Sequence, residues 1–149
     1  MTTILPRSFR PAAAALLTLG FLCLGPIATR LQADPPLLTK AEATDFKATS
    51  RHADVRAFID ELQKRSPLVR IESIGRTAGG FDIPALIVAD PPVASPEQLR
   101  RDGRAVVYFQ ANIHAGEVEG KEACLMLARD IAAAAKRPWL EKIVLVIVP

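Results

Sequence analysis

The sequence is poor in the residues that usually advertise a function. In 149 residues it has two cysteines, two histidines, one tryptophan and one tyrosine. Cys23 lies inside an N-terminal apolar stretch, which leaves Cys124 as the only thiol of the remainder. No intramolecular disulfide is possible there, so stability must come from an apolar core. A lone cysteine in a helical segment reads as a small buried hydrophobe. Aromatics make up only 5% while hydrophobic residues make up 50%, the balance of a globular chain rather than a disordered one. Acidic residues are missing altogether from residues 1–33, which hold Arg7, Arg10 and Arg30. Setting those three aside leaves 16 Lys and Arg against 16 Asp and Glu, so the formal charge of +3 belongs to the N-terminus. Nucleic-acid binding needs a basic footprint, and the neutral remainder does not supply one.

The N-terminal stretch accounts for the imbalance. "MTTILPRSFRP" carries two arginines, and "AAAALLTLGFLCLGPIA" is an apolar run interrupted by Gly20, Gly25 and Pro26. This is the layout of a secretory signal peptide, with cleavage expected after Ala33. The run falls short of the ~20 apolar residues that a spanning helix needs. The bulky "GFL" ahead of Cys23 argues against a lipoprotein signal. The expectation is an exported protein, periplasmic or secreted, that meets the membrane only through this signal.

Beyond residue 33 the chain divides into a lead-in (34–49) and a domain (50–149). The lead-in is polar, begins with prolines, and is expected to be loosely ordered. In "RHADVRAFIDELQKRSP", Val55, Phe58, Ile59 and Leu62 recur at helical spacing, with Thr49 or Ser50 as cap and Pro67 beyond the end. His52 falls in the first turn among charged neighbours and reads as a solvated surface residue. "LVRIESIG" and "FDIPALIVAD", joined by "RTAGG", read as a β-hairpin, with Pro84 marking an edge or a bulge. "SPEQ" offers one short helical turn capped by Ser95 with Pro96 at its first position. "RAVVYFQANI" is continuously apolar and reads as a strand covered on both faces.

A helix follows from Glu117 to about Ala135, with Gly120, Cys124, Leu127, Ala128 and Ile131 on one face and Lys121 and Glu122 on a solvated face. "IVLVIVP" is a further buried strand. Strand, helix and strand form a βαβ unit with a parallel pair. The predicted class is therefore α/β, a mixed and mostly parallel sheet flanked by helices. Ending straight after a buried strand, the sequence reads as the front part of a larger domain.

The chemistry-bearing stretch is "YFQANIHAGEVEGKEA". His114 ends the apolar strand, at the carboxyl edge of the sheet where open α/β folds place ligands. Glu117 begins the helix, with Ala115 and Gly116 between them. An imidazole nitrogen and a carboxylate oxygen both suit zinc. Spacing alone is weak, since a glutamate follows three residues after a histidine by chance in about one case in sixteen. The helix dipole also favours acids here by about 0.3–1 kcal/mol. Glu119 is weighed as a residue supporting the ligands, against a solvated first-turn acid. Half of a metal site and an ordinary polar turn both remain open on these grounds.

"NIHAGEVEGKEA" resembles the first zinc motif of the M14 zinc carboxypeptidases, or funnelins. Upstream, "GRTAGGFDI" is similar to that family's G-x-S-x-x-G-R-x-I hairpin. Gly75, Gly80 and Ile83 match, Thr77 stands for the serine, and Phe81 stands where arginine is usual. The resemblance spans about residues 50–149, roughly the first third of such a catalytic domain. It implies a zinc-peptidase/phosphorylase-hydrolase-like fold and one catalytic Zn2+ held by His114, Glu117 and a later histidine. It further implies a zinc-activated water and a peptide or protein substrate cleaved at or near its C-terminus. The general base is expected beyond Pro149, so no catalytic residue is assigned within the chain, which as given is expected to bind zinc weakly and cleave nothing. Members with strict C-terminal specificity often carry arginine just before the ligand glutamate, where this chain has Gly116. Two other readings are kept: an N-acyl amino-acid deacylase of the aspartoacylase or succinylglutamate desuccinylase type, and a non-catalytic α/β binding domain.

Overall fold

A computed structural model describes residues 34–114 and 116–149. The proposed signal peptide lies outside the described residues. The elements in order are α1 (Lys40–Ala43), α2 (His52–Arg65), β1 (Val69–Arg76), β2 (Asp82–Val88), α3 (Pro96–Arg101), β3 (Ala105–Gln110), α4 (Val118–Ala133), a 3-10 turn (Pro138–Glu141) and β4 (Ile143–Val148). No helix among the described residues is long and apolar enough to cross a membrane.

The strands form one sheet in the order β1-β2-β4-β3. β1 and β2 make the expected antiparallel hairpin, β2 pairs antiparallel with β4, and β3 pairs parallel with β4. The sheet is mixed as expected, although among the described strands only one of three pairings is parallel. Pro84 faces Ser73, where the β1 register breaks before Arg76, and β4 pairs only with Leu86 to Val88 further along. The missing proline N–H therefore falls where the ladder is already interrupted.

Alternation along the strands divides the core in two. Leu86, Val88, Leu145 and Ile147 face α2 and α4 and join Phe58, Ile59, Leu62, Leu125 and Ala128. Ile87, Ala89 and Val144 face the other way, under Val93 and Leu99 of the α3 segment. The apolar stripe of α2 is the one its spacing predicts, with Val55, Phe58, Ile59 and Leu62 all buried. Ser95 caps α3, its hydroxyl accepting from the Gln98 N–H at 3.1 Å.

Several expectations need correction. β3 is an edge strand among the described residues, with Val106 and Tyr108 each 52% exposed, instead of a strand covered on both faces. Its Val107 packs against the α2–α4 cluster, but the α3 segment on the opposite face covers only Ile87, Ala89 and Val144. On α4 the buried stripe is Lys121, Glu122, Cys124, Leu125, Ala128, Ile131 and Ala132, and Leu127 is exposed. The helix is rotated so that Leu125 points inward, which carries Lys121 and Glu122 in with it.

The lead-in is ordered for the same reason. Thr39 and Glu42 form a capping box on α1, and Arg129 of α4 donates to the Leu37 carbonyl at 2.9 Å and to Glu42 at 2.6 Å. At the other end, Glu122 accepts from the Thr49 hydroxyl at 2.8 Å, the Ser50 hydroxyl at 3.1 Å and the Ser50 amide. Lys121 donates to the Ser50 carbonyl. Ser50 is therefore not the cap of α2. Arg51 occupies that position, its N–H donating to Asp54 at 2.8 Å. A polar segment reads as loose when its partners are assumed to be water. Here the partners are charged side chains of α4.

Burial pushes the Glu122 carboxyl up, but the Ser50 amide and the Thr49 and Ser50 hydroxyls outweigh it and hold it below its ordinary value of 4.5. A carboxylate depressed in the folded state stabilises fully above its unfolded pKa and loses that contribution as pH falls through the folded one. Glu42, held down chiefly by its hydrogen bond from Arg129, acts in the same direction. Thermal unfolding followed from about pH 6 to about pH 3 should show stability falling below the ordinary carboxylate value, with a shallower fall in Glu122→Gln. Equal slopes in the two proteins would show that Glu122 is not coupled to folding.

Candidate metal centre

β3 ends at Gln110, and the Ala111 N–H extends its ladder to the Val148 carbonyl at 2.9 Å. The chain then leaves the sheet at the carboxyl ends of the parallel pair, with Asn112 at φ +55°. Asparagine tolerates that conformation better than most residues. Gly116 follows at φ +96°, a backbone in which glycine alone is unstrained. That conformation gives a local reason for glycine at the place where the resemblance would allow arginine.

The turn is closed by the Glu117 N–H donating to the His114 carbonyl at 3.3 Å and the Val118 N–H donating to Gly116 at 3.0 Å. Glu117 occupies the cap position of α4, yet its side chain makes no capping bond to that helix. It turns back instead. Glu117 Oε1 lies 2.8 Å from His114 Nδ1, and Oε2 accepts from the His114 N–H at 3.4 Å. A first-turn acid placed only for the helix dipole would serve the free amides of its own helix. This carboxylate converges on the imidazole, and both side chains open to solvent at 78% and 53% exposure.

The donor set fits zinc. Bonds of about 2.0–2.1 Å at a tetrahedral angle would place nitrogen and oxygen roughly 3.3 Å apart, so the pair need open by only about half an ångström. Among the described residues no group of three or more His, Cys, Asp or Glu side chains is placed to hold a metal. His114 and Glu117 are brought together, and no further metal-ligating side chain among the described residues joins them. His52 is exposed, with Nε2 2.8 Å from the Asp82 carbonyl oxygen and its ring 5.0 Å from that of Phe81. It ties α2 to the hairpin. Glu119 is exposed. Cys124 is buried, and burial pushes its thiol up, as expected of a core cysteine.

The zinc carboxypeptidase family model matches residues 55–149, well over half of the sequence. The chain belongs to the zinc carboxypeptidase family. Its fold is similar to that of bovine thrombin-activatable fibrinolysis inhibitor, solved in complex with tick carboxypeptidase inhibitor. That match has a TM-score of 0.56 at 16% identity and covers 68% of this chain and 30% of that one. A second structure of thrombin-activatable fibrinolysis inhibitor matches at TM-score 0.59 and 15% identity, over 77% of this chain and 27% of that one. Carboxypeptidase A from Helicoverpa armigera matches at TM-score 0.56 and 21% identity, over 68% and 24%. At these identities the likeness is one of fold. The chain spans less than a third of the length of each of these structures. No curated protein sequence matches it.

The residues that sequence reasoning missed are Ser50, Lys121 and Glu122. A helical stripe centred on Leu125 instead of Leu127 would have placed Lys121 and Glu122 inside. The two histidines also provide a built-in comparison. Zinc added to the chain should shift the NMR signals of the His114 ring and leave those of His52 in place, and Glu117→Gln should weaken the effect. Equal shifts at both rings would mean nonspecific binding to exposed imidazoles.

Proposed function

We propose that this protein is a zinc-dependent metallocarboxypeptidase in which His114 and Glu117 are two of the ligands of one Zn2+. The reading is supported above all by the convergence of His114 Nδ1 and Glu117 Oε1 at 2.8 Å, at the corner between strand and helix. Family membership supports hydrolysis of a peptide bond as the reaction class. A zinc ion held by this pair would supply a water of lowered pKa and a Lewis acid for the scissile carbonyl. The chain's own contribution is to hold both donors at the carboxyl ends of β3 and β4, open to solvent and to a substrate. Two ligands are one fewer than a catalytic zinc normally takes from protein. Residues 34–149 by themselves are therefore proposed to bind zinc weakly and to hydrolyse little.

The substrate proposed is a peptide or protein cleaved at or near its C-terminus. The N-terminal apolar run with its two arginines supports export to the periplasm or beyond.

A peptide with a free C-terminus and its amidated twin, offered with zinc to the protein expressed from its natural reading frame, separate the possibilities. Mass spectrometry should show residues lost from the C-terminus of the free peptide only, and His114→Ala should abolish the loss. Unchanged turnover in His114→Ala would remove this residue from the site. For export, sequencing the mature N-terminus from the periplasmic or culture fraction should give Asp34 as the first residue. An intact Met1 in the cytoplasmic fraction would overturn it.

A further inference from the structure

The corner that joins His114 to Glu117 is held only loosely from within. Two of its closing bonds are 3.3 and 3.4 Å long, its two functional side chains are exposed, and α4 starts without a side-chain cap. The first turn of α4 is fixed from behind. A Cβ added at Gly120 would lie 3.2 Å from the Ala111 Cβ, so the helix rests directly on the residue that follows β3. The next two residues, Lys121 and Glu122, are 8% and 6% exposed and engage all three polar groups of Ser50. Glu122 takes its amide and hydroxyl, and Lys121 takes its carbonyl.

Burying charged groups carries a desolvation penalty that an apolar contact in the same place would avoid. Directional hydrogen bonds supply what an apolar contact does not, a fixed rotation and height of the helix. We propose that the contact of Ser50 with Lys121 and Glu122 is a positioning device, which sets the first turn of α4 and through it the separation of Glu117 from His114. Ser50 lies ahead of the residues matched by the family model, which begin at Val55. Its far-end counterpart is the tie from Arg129 to Glu42, two turns further along α4. Only the zinc readout below rests on the metal reading of the corner.

The test uses the full chain and four variants. Ser50→Ala removes one bond and keeps the fold even if Glu122→Ala does not. Glu42→Gln loosens the same N-terminal segment at its far end, and His114→Ala removes the proposed ligand. Amide hydrogen exchange at residues 122–125, the first to bond back into α4, should quicken in Ser50→Ala and Glu122→Ala relative to residues 128–131. Zinc affinity read at His114 should fall about tenfold in the same two variants, the lower end of what residues behind metal ligands are worth. Glu42→Gln should do neither. Unchanged exchange at 122–125 in Ser50→Ala, or equal loosening there in Glu42→Gln, overturns the proposal. If wild type and His114→Ala bind zinc alike, the metal reading fails, and the exchange result still decides the positioning role.

Discussion

The placement of α4 on the sheet is the constraint from which the rest follows. Leu125 and Ala128 are fully buried against Leu86, Leu145 and Ile147, and this contact sets the depth of the helix. Apolar packing is close but non-directional. The polar contacts at the two ends of α4 add direction, through Lys121 and Glu122 to Ser50 and through Arg129 to Glu42 and Leu37. Buried groups of this kind need partners, and none of the buried side-chain nitrogen and oxygen atoms among the described residues lacks one. The lead-in is thereby part of the domain's packing.

The same placement explains why the candidate site lies where it does. A parallel pair sends both strand ends to one edge, and β3 and β4 finish there together at Gln110 and Val148. The chain must then reverse into α4 within a few residues, and it does so through positive φ at Asn112 and Gly116. The short turn carries Glu117 back over His114. Zinc chemistry at this corner would depend on a tight backbone path more than on any pocket enclosing the ion, since both donors are exposed.

Much of the fold was legible. α2 could be read from four apolar residues at helical spacing, the hairpin from two β-rich runs around glycines, and α3 from a serine followed by proline. Each of these is a local signal, carried by residues close together in the chain. The errors have a common origin. β3 was read as covered because Ala105 to Phe109 form an unbroken apolar run, but covering depends on neighbours that other segments must supply. The lead-in was read as loose, and Lys121 and Glu122 as solvated, because each was assumed to meet water. Their partners lie more than seventy residues away along the chain.

By itself the sequence determined the α/β class, the spacing of a histidine and a glutamate three residues on, and a neutral chain behind a basic, apolar N-terminal stretch. These depend on periodicity, spacing and composition, which any short window contains. Only the tertiary structure decided that Glu117 turns from its own helix towards His114, that Leu125 and not Leu127 faces the core, and that Ser50 is held by two charges of α4. Each of these is settled by the rotation and height at which one helix comes to rest on a sheet. That position results from apolar packing and from hydrogen bonds between distant residues, and no local stretch of sequence contains it.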